Sequence, residues 1–246
     1  MAGKGNGKSW IKRRWWVIPA GFVVTIAIAF FIYTSDYYRA EEKAAQYLQS
    51  DETVTVSQTD EGWFFDGPSE DTAMIFYPGA KVEETAYAPL LHELAAQEMD
   101  AFLVEMPFRI AFFGGGTAAD IMDENEYAEW YIGGHSLGGV AAADFAANHL
   151  VALEGLVLLA SYPTKELDDG LSELSIVGSE DNVINRDALE DSEKFAPADY
   201  KECEIAGGNH AGFGMYGAQK GDGAASLTQE EQIVETVKII GENRRK

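Results

Sequence analysis

The stretch WYIGGHSLGGVAAADFA, Trp130 to Ala146, runs from apolar residues that favour strands into a serine framed by Gly133, Gly134, Gly138 and Gly139, and then into alanines. It reads as a strand that turns sharply into a helix at Ser136. Glycine allows backbone angles and close approaches that a Cβ forbids, so four of them around one serine mark a join where space is short. Ser136 is then either part of an ordinary tight turn or a side chain lifted above the sheet edge to react. The rest of the chain has to decide between these.

On either side of the join, short β-rich runs alternate with helical stretches. Strands are expected at 53–57, 62–66, 73–77, 101–105, 130–134, 155–160, 174–178 and 201–206, and helices at 84–97, 117–129, 137–150, 185–195 and 227–242. The central strands are continuous apolar runs, as when helices cover both faces of a parallel sheet. Strand–helix alternation predicts a doubly wound α/β domain with a mostly parallel sheet of about eight strands. The first two strands lie so close in sequence that they should form an antiparallel hairpin at one edge. With 246 residues, 46% of them hydrophobic, the chain can fill one sizeable core. A single cysteine, Cys203, excludes an intramolecular disulfide, and no His/Cys spacing suggests a metal site.

Ser136 falls after the fifth strand. Gly134-His135-Ser136-Leu137-Gly138 is G-x-S-x-G, the pattern of a nucleophile elbow, in the strand–turn–helix setting that the motif requires. A serine hydroxyl is a weak nucleophile and needs a positioned base. Of the four histidines, His92 reads as a helix packing residue, His149 as a residue at a helix C-terminus and His135 as a group beneath the elbow. His210, in the glycine-rich loop CEIAGGNHAGFG after the last strand, sits at the carboxyl end of the sheet, where such sheets present ligands. The imidazole needs a carboxylate to hold its tautomer. Asp181, in SIVGSEDNVIN after the seventh strand, fits best, with Glu180 as a stand-in. The order Ser136, Asp181, His210 is that of α/β-hydrolases. An oxyanion would need two N–H donors: Leu137 supplies one, and Ala80 in IFYPGAKVEE the other, with Lys81 as its neighbouring candidate and a further substrate contact.

The chain from about Thr53 to Glu242 thus resembles an α/β-hydrolase. FYPGAKV (76–82), MPF (106–108), GGHSLGG (133–139), GSEDNVI (178–184) and GGNHAGFG (207–214) are similar to the small lidless branch called α/β-hydrolase family 5, related to dienelactone hydrolases. Dienelactone hydrolases proper carry a cysteine nucleophile, whereas the elbow here holds Ser136. The resemblance therefore implies ester or related acyl hydrolysis through an acyl-enzyme, with no cofactor. Only SYPTKELDDGLSE separates the sixth and seventh strands, too little for a large cap. The walls of an open site are expected from Phe108, Phe112 and Phe113 after the fourth strand and from Phe213 and Tyr216 after His210, apolar surroundings that suit a small-molecule ester. A non-catalytic binding scaffold at the cell surface is the alternative of another class, and acyl transfer to an alcohol is the alternative chemistry.

The amino-terminal part has a different character. Residues 1–14 hold five lysines and arginines and no acid, and an uncharged apolar run follows from Trp15 to Tyr33. That run is long enough at helical rise to cross a bilayer of about 30 Å hydrocarbon thickness, and aromatic residues flank it as interfacial belts do. Its length and the lack of a small-x-small site argue against a cleaved signal peptide. The expected organisation is a basic cytoplasmic segment (1–14), a single transmembrane anchor (15–33), a juxtamembrane helix or linker (34–52) and an extracytoplasmic catalytic domain (53–246), oriented by the positive-inside rule. The total formal charge of −23 is more negative still without the basic segment, which excludes nucleic acid as a partner on electrostatic grounds.

Overall fold

A computed structural model describes residues 17–69, 71–149 and 153–244. The basic segment 1–14, Trp15, Trp16, Leu150 and the last two residues lie outside them. The described chain divides into a unit ending at Tyr37 and a second unit from Tyr38 onward.

The first unit is helix α1, Val17–Ser35, with no charged residue and a mean hydropathy of 2.2 over its most apolar window. The hydroxyls of Thr25 and Ser35 donate to the carbonyls of Gly21 and Phe31, one turn back. This internal pairing is what polar groups need where water is absent.

The second unit is built on one eight-stranded sheet: β1 Thr55–Gln58, β2 Gly62–Asp66, β3 Thr72–Tyr77, β4 Asp100–Val104, β5 Glu129–His135, β6 Gly155–Leu159, β7 Ser172–Gly178 and β8 Asp199–Ile205. Their spatial order is β1-β2-β4-β3-β5-β6-β7-β8. β1 and β2 form the expected antiparallel edge hairpin, β2 joins β4 antiparallel, and every pair from β4 onward is parallel. The helices are α2 Ala88–Ala96, α3 Thr117–Glu124, α4 Leu137–Asn148, α5 Arg186–Ser192 and α6 Gln229–Asn243.

Strand alternation explains the continuous apolar runs. On β3, Met74 and Phe76 enter one core with Leu90, Leu91 and Leu94 of α2 and Ile233, Val237 and Ile240 of α6. Ala73, Ile75 and Tyr77 enter the other with Ala118 and Ile121 of α3 and Ala141, Ala142 and Phe145 of α4. Both faces are buried, so neither can be polar. Residues 160–171, between β6 and β7, contain no helix or strand, so no cap is inserted there.

Three elements differ from expectation. The first strand starts at Thr55 because Asp51 Oδ1 takes the N–H groups of Thr53 and Val54 at 2.7 and 2.8 Å. The helix expected at 117–129 stops at Glu124: Asn125 is extended, and its side chain bonds back to the Ile121 carbonyl at 2.8 Å. The juxtamembrane segment 34–52, expected as a helix or linker, holds a 3-10 helix over Glu42–Leu48 whose Ala44 is fully buried against the α2 side of the core, with Tyr38 bridged to Val82. One apolar stripe, Ala40, Ala44, Tyr47 and Leu48, suffices to fold it onto the sheet unit.

One buried group carries a stability prediction. Glu173 on β7 is 2% exposed, and neither of its carboxylate oxygens has a hydrogen-bond partner among the described residues. Burial pushes its pKa up to about 7, whereas a glutamate in the unfolded chain ionises near about 4.3. Between these values the folded chain holds a proton that the unfolded chain releases, so stability falls as pH rises through that window and levels off above it. Glu173→Gln is expected to remove this slope and to stabilise the fold at about pH 8 by an amount on the order of 3 kcal/mol. Urea unfolding at several pH values checks this; parallel pH dependence in the two proteins would contradict it.

Candidate active site

Ser136 stands between β5 and α4 with φ 52° and ψ −123°, a conformation that a non-glycine residue holds at a cost of about 1–3 kcal/mol. It persists because the surroundings fix it. The Ser136 N–H donates to the Leu159 carbonyl at 2.9 Å, and the Ser161 hydroxyl donates to the Ser136 carbonyl at 2.8 Å. The start of α4 lies hard against the end of β3: a Cβ on Gly138 would fall 2.2 Å from the Tyr77 carbonyl oxygen, and one on Gly134 would fall 2.6 Å from the carbonyl carbon of Gly138. The glycines therefore allow helix and sheet to close around the turn.

His210 follows β8. Its Nδ1 lies 2.8 Å from Asp181 Oδ2, and its Nε2 is buried without a hydrogen-bond partner among the described residues. Asp181 Oδ1 accepts from the N–H groups of Val183 and Ile184 at 2.8 and 2.9 Å. Burial alone would push the Asp181 pKa up, but the His210 hydrogen bond and charge, with the two backbone donors, hold it below the usual carboxylate range. Ser136, Leu137 and His210 line one cavity of about 220 Å³, with Val140, Ala160, Tyr162, Val183 and Ile184 among its apolar walls. Among the described residues Asp181, and not Glu180, bonds the imidazole, and Glu180 Oε1 accepts from the Ser179 hydroxyl at 3.1 Å.

On the opposite side of the turn, the Lys81 N–H donates to the Arg109 carbonyl at 2.9 Å, and the Gly79 N–H donates to Tyr87 Oη at 3.2 Å. With both neighbours engaged, Ala80 is the residue of this loop whose N–H remains to be offered, and Lys81 is not a donor here. Leu137, as the first residue of α4, has an N–H that no intrahelical carbonyl can take.

Beneath both groups lies His135, fully enclosed, with Nδ1 2.7 Å from Tyr87 Oη and its ring centroid 4.5 Å from that of His210. Burial, and secondarily the proximity of His210, pull its pKa well below the ordinary histidine value, so it is neutral. Tyr87 Oη accepts from Gly79 and so has its proton to give to His135 Nδ1. A Cβ on Gly79 would come within 2.9 Å of both ring nitrogen and hydroxyl.

The His210 loop is held by residues that carry no local sequence signal. Asp222 accepts from the N–H groups of His210 and Ala211 at 3.3 and 2.9 Å. Buried Gln232 on α6 bonds both the N–H and the carbonyl of Asn209. Asp222, Gln232, Tyr87 and Ser161 were not legible as site residues because each acts across a long sequence separation.

The expected aromatic walls need correcting. Phe213 and Tyr216 are buried in the α2-side core, stacked around His135 and Tyr87, since large rings that can be covered are covered. Phe108, Phe112 and Phe113 are exposed, and none lines the Ser136 cavity. A larger open groove of about 870 Å³ lies at the far end of α4, around Ala146, His149, Glu166, Asp168 and Lys194, and holds none of the groups above.

Est1E from Butyrivibrio proteoclasticus shares the fold, with 14% identity, a TM-score of 0.52 and coverage of 78% of this chain and 99% of that chain. The same protein with ferulic acid bound aligns at 14% identity and a TM-score of 0.54, over 77% of this chain and 94% of its own. The thermophilic esterase Est2 from Thermogutta terrifontis aligns at 13% identity and 0.51, over 77% and 91%. No curated protein sequence matches the chain. Residues 73–234 match the model of the alpha/beta hydrolase family, a span that holds the turn at Ser136, the Asp181–His210 pair and six of the eight strands, and the chain belongs to that family.

Proposed function

We propose that the chain is a serine esterase anchored in a membrane, which cleaves a small ester through Ser136, His210 and Asp181. The observation that carries this reading is the pairing of His210 Nδ1 with Asp181 at 2.8 Å, which leaves Nε2 without a hydrogen-bond partner among the described residues, on a histidine that lines the same cavity as Ser136. Ser136 Oγ attacks the ester carbonyl carbon while its proton passes to Nε2. The oxyanion is held by the N–H groups of Leu137 and Ala80, donors that gain strength as charge develops. The carbon–oxygen bond to the alcohol breaks, and the alcohol leaves with the proton from His210. Water then attacks the acyl carbon, giving a proton to Nε2; the acid departs and Ser136 recovers its proton. Apo hydrogen bonds of this kind commonly tighten only when substrate binds. A cavity of about 220 Å³ favours a short acyl group.

Helix α1 supports the anchor, and the basic segment before it supports an amino terminus on the cytoplasmic side with the sheet unit outside. The small ester is the proposed partner of the site and the bilayer that of residues 15–33. The test is hydrolysis of p-nitrophenyl esters of increasing chain length by the full chain in detergent, with a fluorophosphonate probe to identify the labelled serine. Label on Ser136 with turnover supports the reading; turnover with label elsewhere contradicts it.

Tyr87 ties the Ala80 loop to the floor beneath the elbow. Tyr87→Phe removes the acceptor for Gly79 and the partner of His135, and is expected to lower kcat about tenfold with little change in KM, because it loosens a transition-state donor and leaves the acyl cavity unaltered. Steady-state kinetics check this; a loss confined to KM contradicts it.

A further inference from the structure

The turn that offers the Ala80 N–H runs from Gly79 to Val82 and is closed by the Val82 N–H, which donates to the Gly79 carbonyl at 3.2 Å. Its third residue, Lys81, holds φ 59°, a left-handed conformation that a residue with a side chain keeps only where its surroundings fix it. Lys81 is fixed at both ends. Its N–H donates to the Arg109 carbonyl at 2.9 Å, and its carbonyl accepts from the Tyr38 N–H at 2.7 Å. Tyr38 is remote from the turn in sequence and opens the unit that holds the sheet.

Tyr38 also begins a short strap that reaches the loops carrying Ala80 and His210. Toward the Ala80 turn, the Glu83 N–H donates to the Tyr38 carbonyl at 2.8 Å, and Glu83 Oε2 accepts from the Ala40 N–H at 3.2 Å. Toward the loop after His210, the Glu41 N–H donates to the Met215 carbonyl at 2.8 Å, and Tyr38 Oη accepts from the Lys220 N–H at 3.1 Å. The Tyr38 ring lies 5.7 Å from that of buried Tyr216. Fully buried Ala44 then seats the continuation of the strap in the α2-side core. The strap is thus bound to both loops by its backbone, and its place is set by packing as well.

We propose that Tyr38–Glu41 is a positioning segment of the active site, which holds the turn Gly79–Val82 in the form that presents the Ala80 N–H to the oxyanion. The inference deepens the esterase reading and rests on it; it makes no use of the anchor. Without the Tyr38 N–H on its carbonyl, Lys81 can relax out of the left-handed region, and the turn that aims Ala80 changes shape. An oxyanion donor acts only if it is aimed where charge develops, so a small misplacement costs rate and spares ground-state binding.

The test uses the full chain in detergent. Tyr38→Pro removes the N–H that holds the Lys81 carbonyl; Tyr38→Ala, which keeps that N–H and loses the ring and hydroxyl, is its comparison. On a short p-nitrophenyl ester, Tyr38→Pro is expected to show a kcat about tenfold below that of Tyr38→Ala, with KM within about twofold. A trifluoromethyl ketone of the same acyl length reads the donor directly: Ser136 Oγ bonds to its carbonyl carbon, the serine proton passes to His210 Nε2, and the resulting oxyanion takes the N–H groups of Leu137 and Ala80. Its inhibition constant is expected to rise by the factor by which kcat falls. Glu83→Ala, which releases the Ala40 N–H, should show a smaller loss of the same kind. Glu83→Gln, whose amide oxygen can still accept, should return kcat to within about twofold of the parent, and this pair decides the matter if Tyr38→Pro does not fold. Equal kcat in the two folded Tyr38 variants, a Glu83→Ala loss that glutamine does not restore, or a change confined to KM would overturn the positioning role and leave the esterase reading standing. A parent that turns over no ester would remove that reading, and the inference with it.

Discussion

Replacing Ser136 by alanine is expected to lower ester turnover by about 10⁴-fold or more while the protein stays folded. The change removes the one atom that is to form the acyl bond and leaves the rest of the turn in place. The backbone conformation at φ 52° is set by the Leu159 carbonyl, the Ser161 hydroxyl and the closed approach of Gly138 to β3, and none of these uses the Ser136 side chain. Residual turnover would come from the Leu137 and Ala80 donors alone. The measurement is kcat/KM on a short p-nitrophenyl ester with the full chain in detergent, beside circular dichroism of both proteins. Equal rates in two folded proteins would eliminate Ser136 as nucleophile.

Asp181→Asn is expected to cost about 10³- to 10⁴-fold in kcat with much less effect on folding at neutral pH. The asparagine oxygen can still accept from Val183 and Ile184. Its amide group then faces His210 Nδ1, which must accept instead of donate, so the imidazole proton moves to Nε2 and the base is spent before the reaction begins. The carboxylate also loses its hold on the imidazolium. For stability the sign follows from the depressed pKa of Asp181. The carboxylate's contribution is fully present above its unfolded value near about 3.9 and is lost as pH falls through the lower folded value. The parent and Asp181→Asn should therefore converge in urea midpoint only in that acid range, while their kcat values differ at every pH where Asp181 is ionised. A kcat within tenfold of the parent would remove Asp181 from the catalytic set.

Much of this arrangement is legible along the chain because the relevant signals are local. G-x-S-x-G around Ser136 is a statement about space within five residues, and the structure places Gly134 and Gly138 where a Cβ would collide. The alternation of β3 side chains between two cores follows from strand geometry, so the run TAMIFY is apolar throughout. Asp181 and His210 could be read as loop residues after β7 and β8 because parallel strands deliver such loops to one edge. By contrast, the assignment of Phe213 and Tyr216 to a wall misplaced them. A loop aromatic has no periodicity, and whether it faces a cavity or the core depends on what packs above it. For these two that is Tyr87 and His135, more than seventy residues away in sequence.

By itself, the sequence determined the class of fold, the eight strands and their edge hairpin, and the serine, acid and histidine worth pairing, since hydrophobic periodicity and turn chemistry act over a few residues. Only the tertiary structure decided that Asp181 and not Glu180 meets His210, and that the Lys81 N–H is consumed by Arg109. It also decided that Tyr87, Asp222 and Gln232 hold the two loops in place, and that Phe108, Phe112 and Phe113 stand in solvent while Phe213 is enclosed. Each of these depends on which groups are brought within hydrogen-bonding or van der Waals reach, and that is a property of the packed layers, not of any one segment.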